Sequence, residues 1–394
     1  MLQKSSAKVI KFLPVFISDY NCISPLGFGA EQNFGALLRN ETGIKKQYFS
    51  ENFPEVCAAI IPEKLVEEKF SELSLNTENQ YFTRFEQMLV LALKPLLDKH
   101  SVSEKSLLIL STTKGNVKYL QNQSIPPENA YLSFSAKKVA KFLGFKNEPI
   151  VISNACVSGV MAVSAGKIFL QIEKFSDAFV IAADEVSEFV LSGFNSFQAM
   201  SNDVCRPYDK NRDGINLGEA SAAVFISKEK KSETCFEILG DSSINDANHI
   251  SGPSRTGEGL FRSIQNAMNE AGIIPDDIDF INAHGTATIY NDEMESIAFS
   301  RAHLSETPMN SLKAYFGHCL GASGLLEIIM AMESAKHNIL IQSLNYENCG
   351  VSHPLNIITE NSAKEIRTFL KTASGFGGSN SAIILKKMIG NENE

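Results

Sequence analysis

The sequence has no run of 18 consecutive apolar residues anywhere in its 394 positions, which excludes a membrane-spanning helix. None of its seven cysteines (22, 57, 156, 205, 235, 319 and 349) belongs to a C-x-x-C pair. That odd, scattered set excludes a zinc ribbon and a disulfide framework, and it fits reduced thiols in a cytoplasmic protein. Walker A and H-E-x-x-H patterns are missing, and so is a dinucleotide loop. The Gly-rich stretch at 374–380 lies between two strand patterns and opens no helix. Positive charge is scarce, with 36 Lys+Arg against 45 Asp+Glu and a net charge of −9. This excess of acid argues against a dedicated nucleic-acid binder. Residues 1–17 are basic and then apolar. Lys11 and Pro14 interrupt the apolar run, and no small-residue cleavage site follows, so a secretory signal is not expected.

What is present is an ordinary globular composition, 44% hydrophobic and 21% charged. The length suits two or three domains or one large two-lobed unit, with core enough to need no disulfide or metal. Short apolar runs (107–111, 149–153, 178–182, 279–282, 367–373 and 381–386) alternate with helical patterns (32–39, 82–99, 136–143, 262–271, 292–302 and 324–336). Such alternation predicts α/β layers with mainly parallel strands. The charged stretch 228–234 is the candidate boundary between halves 1–230 and 231–394, and the tail 390–394 reads as disordered. Two segments, ACVSGVMAVSAG at 155–166 and GASGLLEIIMAM at 321–332, are apolar or small on every face. A helix with no polar face must be buried all round. One in each half fits either two unrelated core helices or a duplicated architecture with a central helical layer between two sheets.

Chemistry concentrates in a few places. Asp209–Gly214 imitates a calcium loop, but Glu219 is five positions past the glycine instead of six and Asn216 stands where an apolar residue belongs. Cys156 follows an apolar strand and opens the first buried helix, where the positive end of the dipole favours thiolate. His284, in NAHGTAT, directly follows another strand, and His318, in KAYFGHCLGASG, precedes the second buried helix. Ends of elements are where α/β folds place reactive groups.

These motifs resemble β-ketoacyl-acyl-carrier-protein synthases of the elongating, Cys-His-His kind. The segment RPYDKNRDG at 206–214, Gly218-Glu219 and SGFGGSN at 374–380 extend the resemblance over nearly the whole chain. It implies a thiolase-like fold whose duplicated halves form a five-layer αβαβα sandwich. It also implies decarboxylative condensation of a Cys156-bound acyl group with a malonyl thioester. His284 and His318 would stabilise the enolate oxygen, and the main-chain N–H groups of Cys156 and Phe376 would form the oxyanion hole. Phe376 would gate the site, Thr286 and Thr288 would hold the phosphopantetheine arm, and Lys313 would pair with Glu327. No cofactor or metal is implied beyond the phosphopantetheine of an acyl carrier protein. The implied partners are that carrier and a second copy or a related subunit, with neither nucleic acid nor membrane. Departures from the family pattern are Val157, Phe316, Ser374 and a short 111–131 segment. The basic run expected near 77–82 is also missing, leaving Lys137, Lys138, Lys141 and Arg206 as candidates for carrier docking. The alternative reading is a non-catalytic, chain-length-factor-like subunit, which typically lacks the nucleophile.

Overall fold

The computed structural model describes residues 13–77, 80–121, 126–247 and 252–390. Part of the 77–82 stretch, part of the 111–131 segment and all of the tail but Gly390 lie outside them. Two five-stranded sheets carry the chain. The first contains, in chain order, Phe16–Ser24, Ser106–Ser111, Ile150–Ile152, Asp177–Asp184 and Ala220–Ser227. The second contains Thr234–Asn245, Phe280–Asn282, Met309–Asn310, Thr368–Gly375 and Ser379–Ile389. Numbered within its own sheet, each set has the spatial order 3-2-4-5-1, and the sheets join edge to edge where Phe16 and Ile17 pair with Glu237 and Phe236. Even the strand directions repeat. In each sheet pairs 3-2 and 2-4 are parallel, whereas 4-5 and 5-1 are antiparallel.

The strands are therefore parallel in only half of the pairings, not mainly parallel. One cause is local. Gly377 and Gly378 have φ of 85° and 80°, a left-handed conformation open to glycine. They fold Thr368–Gly375 back on Ser379–Ile389 as a hairpin, so these two strands must run antiparallel.

The two nearly apolar segments form helices Ser158–Gln171 and Ser323–His337, packed on each other between the sheets. Small residues make that approach possible. A Cβ on Gly159 would lie 2.6 Å from the main-chain nitrogen of Leu325, and one on Gly324 would lie 2.9 Å from Cγ2 of Val160. Every side chain from Ser323 to Ala335 is buried, as the pattern at 321–332 predicts, whereas in the first helix Met161 and Ala165 are only partly buried and Ile168, beyond the all-apolar stretch, is exposed. Helices Arg84–Leu97 and Leu132–Phe142 cover the outer face of the first sheet, and Glu258–Ala271 and Ile289–Arg301 that of the second. The result is five layers, αβαβα. Among the described residues no helix is long and apolar enough to cross a membrane.

Candidate active site

The first buried helix starts at Ser158, not at residue 155, because Ala155 takes a left-handed φ of 45°. That kink, right after strand Ile150–Ile152, presents Cys156 at the floor of a cleft of about 350 Å³. His284 arrives at the end of strand Phe280–Asn282, and His318 just ahead of the second buried helix. Three sites far apart in sequence thus converge. Reactive atoms of Cys156, His284 and His318 lie within 4.8 Å of one another, and the two rings stand edge to face at 5.3 Å.

Both imidazoles are neutral. Burial holds each well below the usual 6.5, and the nearby Lys313 and Lys371 push in the same direction. The tautomer of His318 follows from its partners. Its Nδ1 accepts the main-chain N–H of Leu320 at 2.9 Å and lies 3.1 Å from the Ser323 hydroxyl, so its proton sits on Nε2.

The thiol of Cys156 departs from expectation. Burial raises its pKa to about 11, against the opposing pull of Lys313 and a hydrogen bond from the Phe376 main-chain N–H. Desolvation outweighs the helix end and the lysine, so the resting group is a protonated thiol. The Gly375 backbone packs so tightly here that a Cβ would lie 3.0 Å from the Cys156 nitrogen. Phe376 itself is 37% exposed, its ring lying 5.7 Å from Phe194 and 5.3 Å from Phe197 across the cleft. Thr286 and Thr288 line the cleft with their hydroxyls 2.9 Å apart.

Lys313 is fully buried, bonded to Glu327 and, at 3.0 Å, to the His284 carbonyl. Two residues not singled out in the sequence join it. Lys371 Nζ lies 2.5 Å from the other Glu327 oxygen and 3.2 Å from the Ala283 carbonyl. The buried Glu295 carboxylate accepts the N–H groups of His284 and Gly285 at 2.9 and 2.7 Å. The calcium-like segment is structural. Asp209 accepts the main-chain N–H groups of Asn211, Glu347 and Asn348, and Glu219 is paired with Arg84. Of the basic candidates for docking, Lys137 is paired with Glu148 and Lys138 with Glu86.

Residues 100–232 match the family profile of the β-ketoacyl synthase N-terminal domain, and residues 235–347 that of the C-terminal domain. The ketoacyl synthase alpha subunit of the tetracenomycin polyketide synthase from Streptomyces glaucescens is 30% identical over 300 residues, spanning 70% of this chain and 69% of the relative. The chain belongs to the β-ketoacyl synthase family. Other members extend the similarity. A putative mitochondrial 3-oxoacyl-[acyl-carrier-protein] synthase from Schizosaccharomyces pombe is 26% identical, across 95% of this chain and 99% of its own. The 3-oxoacyl-[acyl-carrier-protein] synthase 2 of Rhizobium meliloti is 33% identical over 61% of each chain. Among solved structures, a ketosynthase from Xenorhabdus doucetiae, in complex with its chain length factor, is 25% identical. It superposes with a TM-score of 0.79, over 95% of this chain and 98% of that one. The five-layer sandwich is therefore the thiolase-like fold of the family.

Proposed function

We propose that this chain is a decarboxylating condensing enzyme acting on acyl and malonyl groups carried by the phosphopantetheine of an acyl carrier protein. The observation that carries the reading is the convergence of a buried thiol with two neutral imidazoles. Cys156 attacks the carrier thioester, and its acyl group moves to Sγ as the carrier thiolate leaves and takes up the thiol proton. The tetrahedral oxyanion is met by the main-chain N–H groups of Cys156 and Phe376. A malonyl thioester then loses CO2. The electron pair of the broken C–C bond becomes an enolate, whose oxygen is held by His284 and His318. The enolate carbon attacks the Cys156 thioester, the β-ketoacyl product stays on the carrier, and the expelled thiolate is reprotonated. No strong base is needed, because decarboxylation itself releases the carbanion.

Within this scheme Thr286 and Thr288 hold the phosphopantetheine arm, Phe376 gates the thiol, and the Lys313–Glu327 pair supports His284. Halves 1–230 and 231–394 supply the nucleophile and the histidines respectively. The partners are an acyl carrier protein and either a second copy or a related ketosynthase-like subunit. Strand Ile150–Ile152, a half-buried apolar sheet edge leading to Cys156, supports pairing there. The scattered thiols, all free, favour a cytoplasmic setting. The complete triad distinguishes this reading from a non-catalytic chain-length subunit.

The test is direct. With acyl-loaded protein and malonyl carrier protein, CO2 and β-ketoacyl carrier protein are expected in equal amounts. Acyl loading without any CO2 release would reduce the activity to simple acyl transfer.

A further inference from the structure

Lys371 is a charged residue in the middle of an apolar strand, Thr368–Gly375, and its side chain is fully buried. Glu327 does not require it, since Lys313 already neutralises that carboxylate. A second buried ammonium is costly to desolvate unless its protons find good acceptors. Its acceptors are informative. Lys371 holds the Ala283 carbonyl at 3.2 Å while Lys313 holds the His284 carbonyl at 3.0 Å. The two lysines grip the carbonyls on either side of His284 and share one carboxylate. From the other side Glu295 takes the N–H groups of His284 and Gly285. The main chain that carries the imidazole is therefore held by three charged side chains, while its Nδ1 has no partner.

We propose that Lys371 is a positioning residue for His284, a second cation that clamps the Ala283–His284 main chain where enolate charge develops. This rests on the assignment of His284 as an enolate-oxygen donor. The Lys371 ammonium acts on the His284 segment through a medium with little screening. Around Lys371 the charged and titratable groups are Glu327 from helix Ser323–His337, Lys313 from the turn Lys313–Phe316 and Glu295 from helix Ile289–Arg301. The two neutral imidazoles also feel its charge. Burial lowers the Lys371 pKa to about 8, with Glu327 opposing and Lys313 reinforcing the shift. The clamp therefore loses its charge as pH rises through that value.

The experiment measures acyl loading of Cys156 and primed CO2 release from malonyl carrier protein, both from pH 6 to 9.5. In Lys371→Met the neutral Lys313–Glu327 pair survives. CO2 release should fall about 10- to 100-fold, with loading changed by less than about threefold. The parent's alkaline decline near pH 8 should vanish in the variant. Lys371→Gln should behave in the same way and serves if the methionine variant does not fold. A folded variant that releases CO2 at the parent rate, or loses both half-reactions equally, overturns the proposal. So does a parent profile that stays flat to pH 9.5, which needs no variant. His284→Ala in the same assay separates two failures. Loss there without loss in Lys371→Met overturns the clamp alone, whereas no loss in His284→Ala overturns the functional reading and the clamp with it.

Discussion

The main-chain N–H of Leu320 donates to Nδ1 of His318 at 2.9 Å, and Leu320 takes a left-handed φ of 50° at that point. An N–H has no lone pair to offer, so this contact suits only the neutral ring with its proton on Nε2. Protonating His318 would set two donors against each other. The sign follows: both histidines have depressed pKa values, so they stay neutral well below pH 6.5. Primed CO2 release should show no acid break near pH 6.5. A pH–rate profile with an acid midpoint at the free-histidine value would contradict this.

The same two rings should matter unequally in the two half-reactions. His284→Ala or His318→Ala should lower malonyl decarboxylation by about 10²–10³-fold, the usual effect of losing one preorganised oxyanion donor. Acyl loading should suffer much less, because the loading oxyanion is met by main-chain N–H groups. Separate loading and CO2 assays on each folded variant check the split, and equal losses would refute it.

Phe376 is too exposed to be a core residue. Its ring leans on Phe194 and Phe197 at the cleft, and it sits on a hairpin of glycines. Phe376→Ala should alter acyl loading and raise CO2 release from malonyl carrier protein when no acyl primer is present. Unchanged unprimed release together with a large fall in melting temperature would make the ring a packing residue instead.

The central layer makes a stability prediction. At Gly159 an added methyl would meet the Leu325 main chain at 2.6 Å, and backbone cannot step aside as a flexible side chain can. Gly159→Ala should therefore destabilise by about 1–3 kcal/mol, the common cost of overpacking a tight core. A lower urea midpoint is the readout. A midpoint equal to the parent's would mean that the helices can separate at little cost.

Much of the site was legible in the sequence because Cys156, His284 and His318 sit in distinctive motifs at the ends of strands and helices. The buried helices were legible too, since a stretch with no polar face has only one place to go. The charge on the thiol was not. Proximity to a helix start argued for thiolate, but burial dominates, and burial is a property of the whole fold. Glu295 lies on helix Ile289–Arg301 among other acidic residues, and that helix has little amphipathic pattern to show which of them turn inward, so nothing local marked it. Lys371 did carry a signal, as a lone lysine inside an apolar strand. Strand Thr234–Asn245 is not among the apolar runs of the sequence, and Gly240 interrupts it. That glycine makes room for helix Glu258–Ala271, since a Cβ there would lie 2.2 Å from the Ala267 carbonyl oxygen. Lys138, a candidate for carrier docking, is taken up by Glu86, a pairing across 52 positions that no local pattern reveals.

The most direct measurement is intact-mass analysis of the protein after incubation with acyl carrier proteins bearing different acyl groups, followed by peptide mapping. A single acyl adduct should appear on the peptide containing Cys156, be absent in Cys156→Ser, and disappear when malonyl carrier protein is added as β-ketoacyl carrier protein forms. An adduct on another residue, or one that forms at the parent rate in Cys156→Ser, would contradict the assignment of Cys156 as the nucleophile.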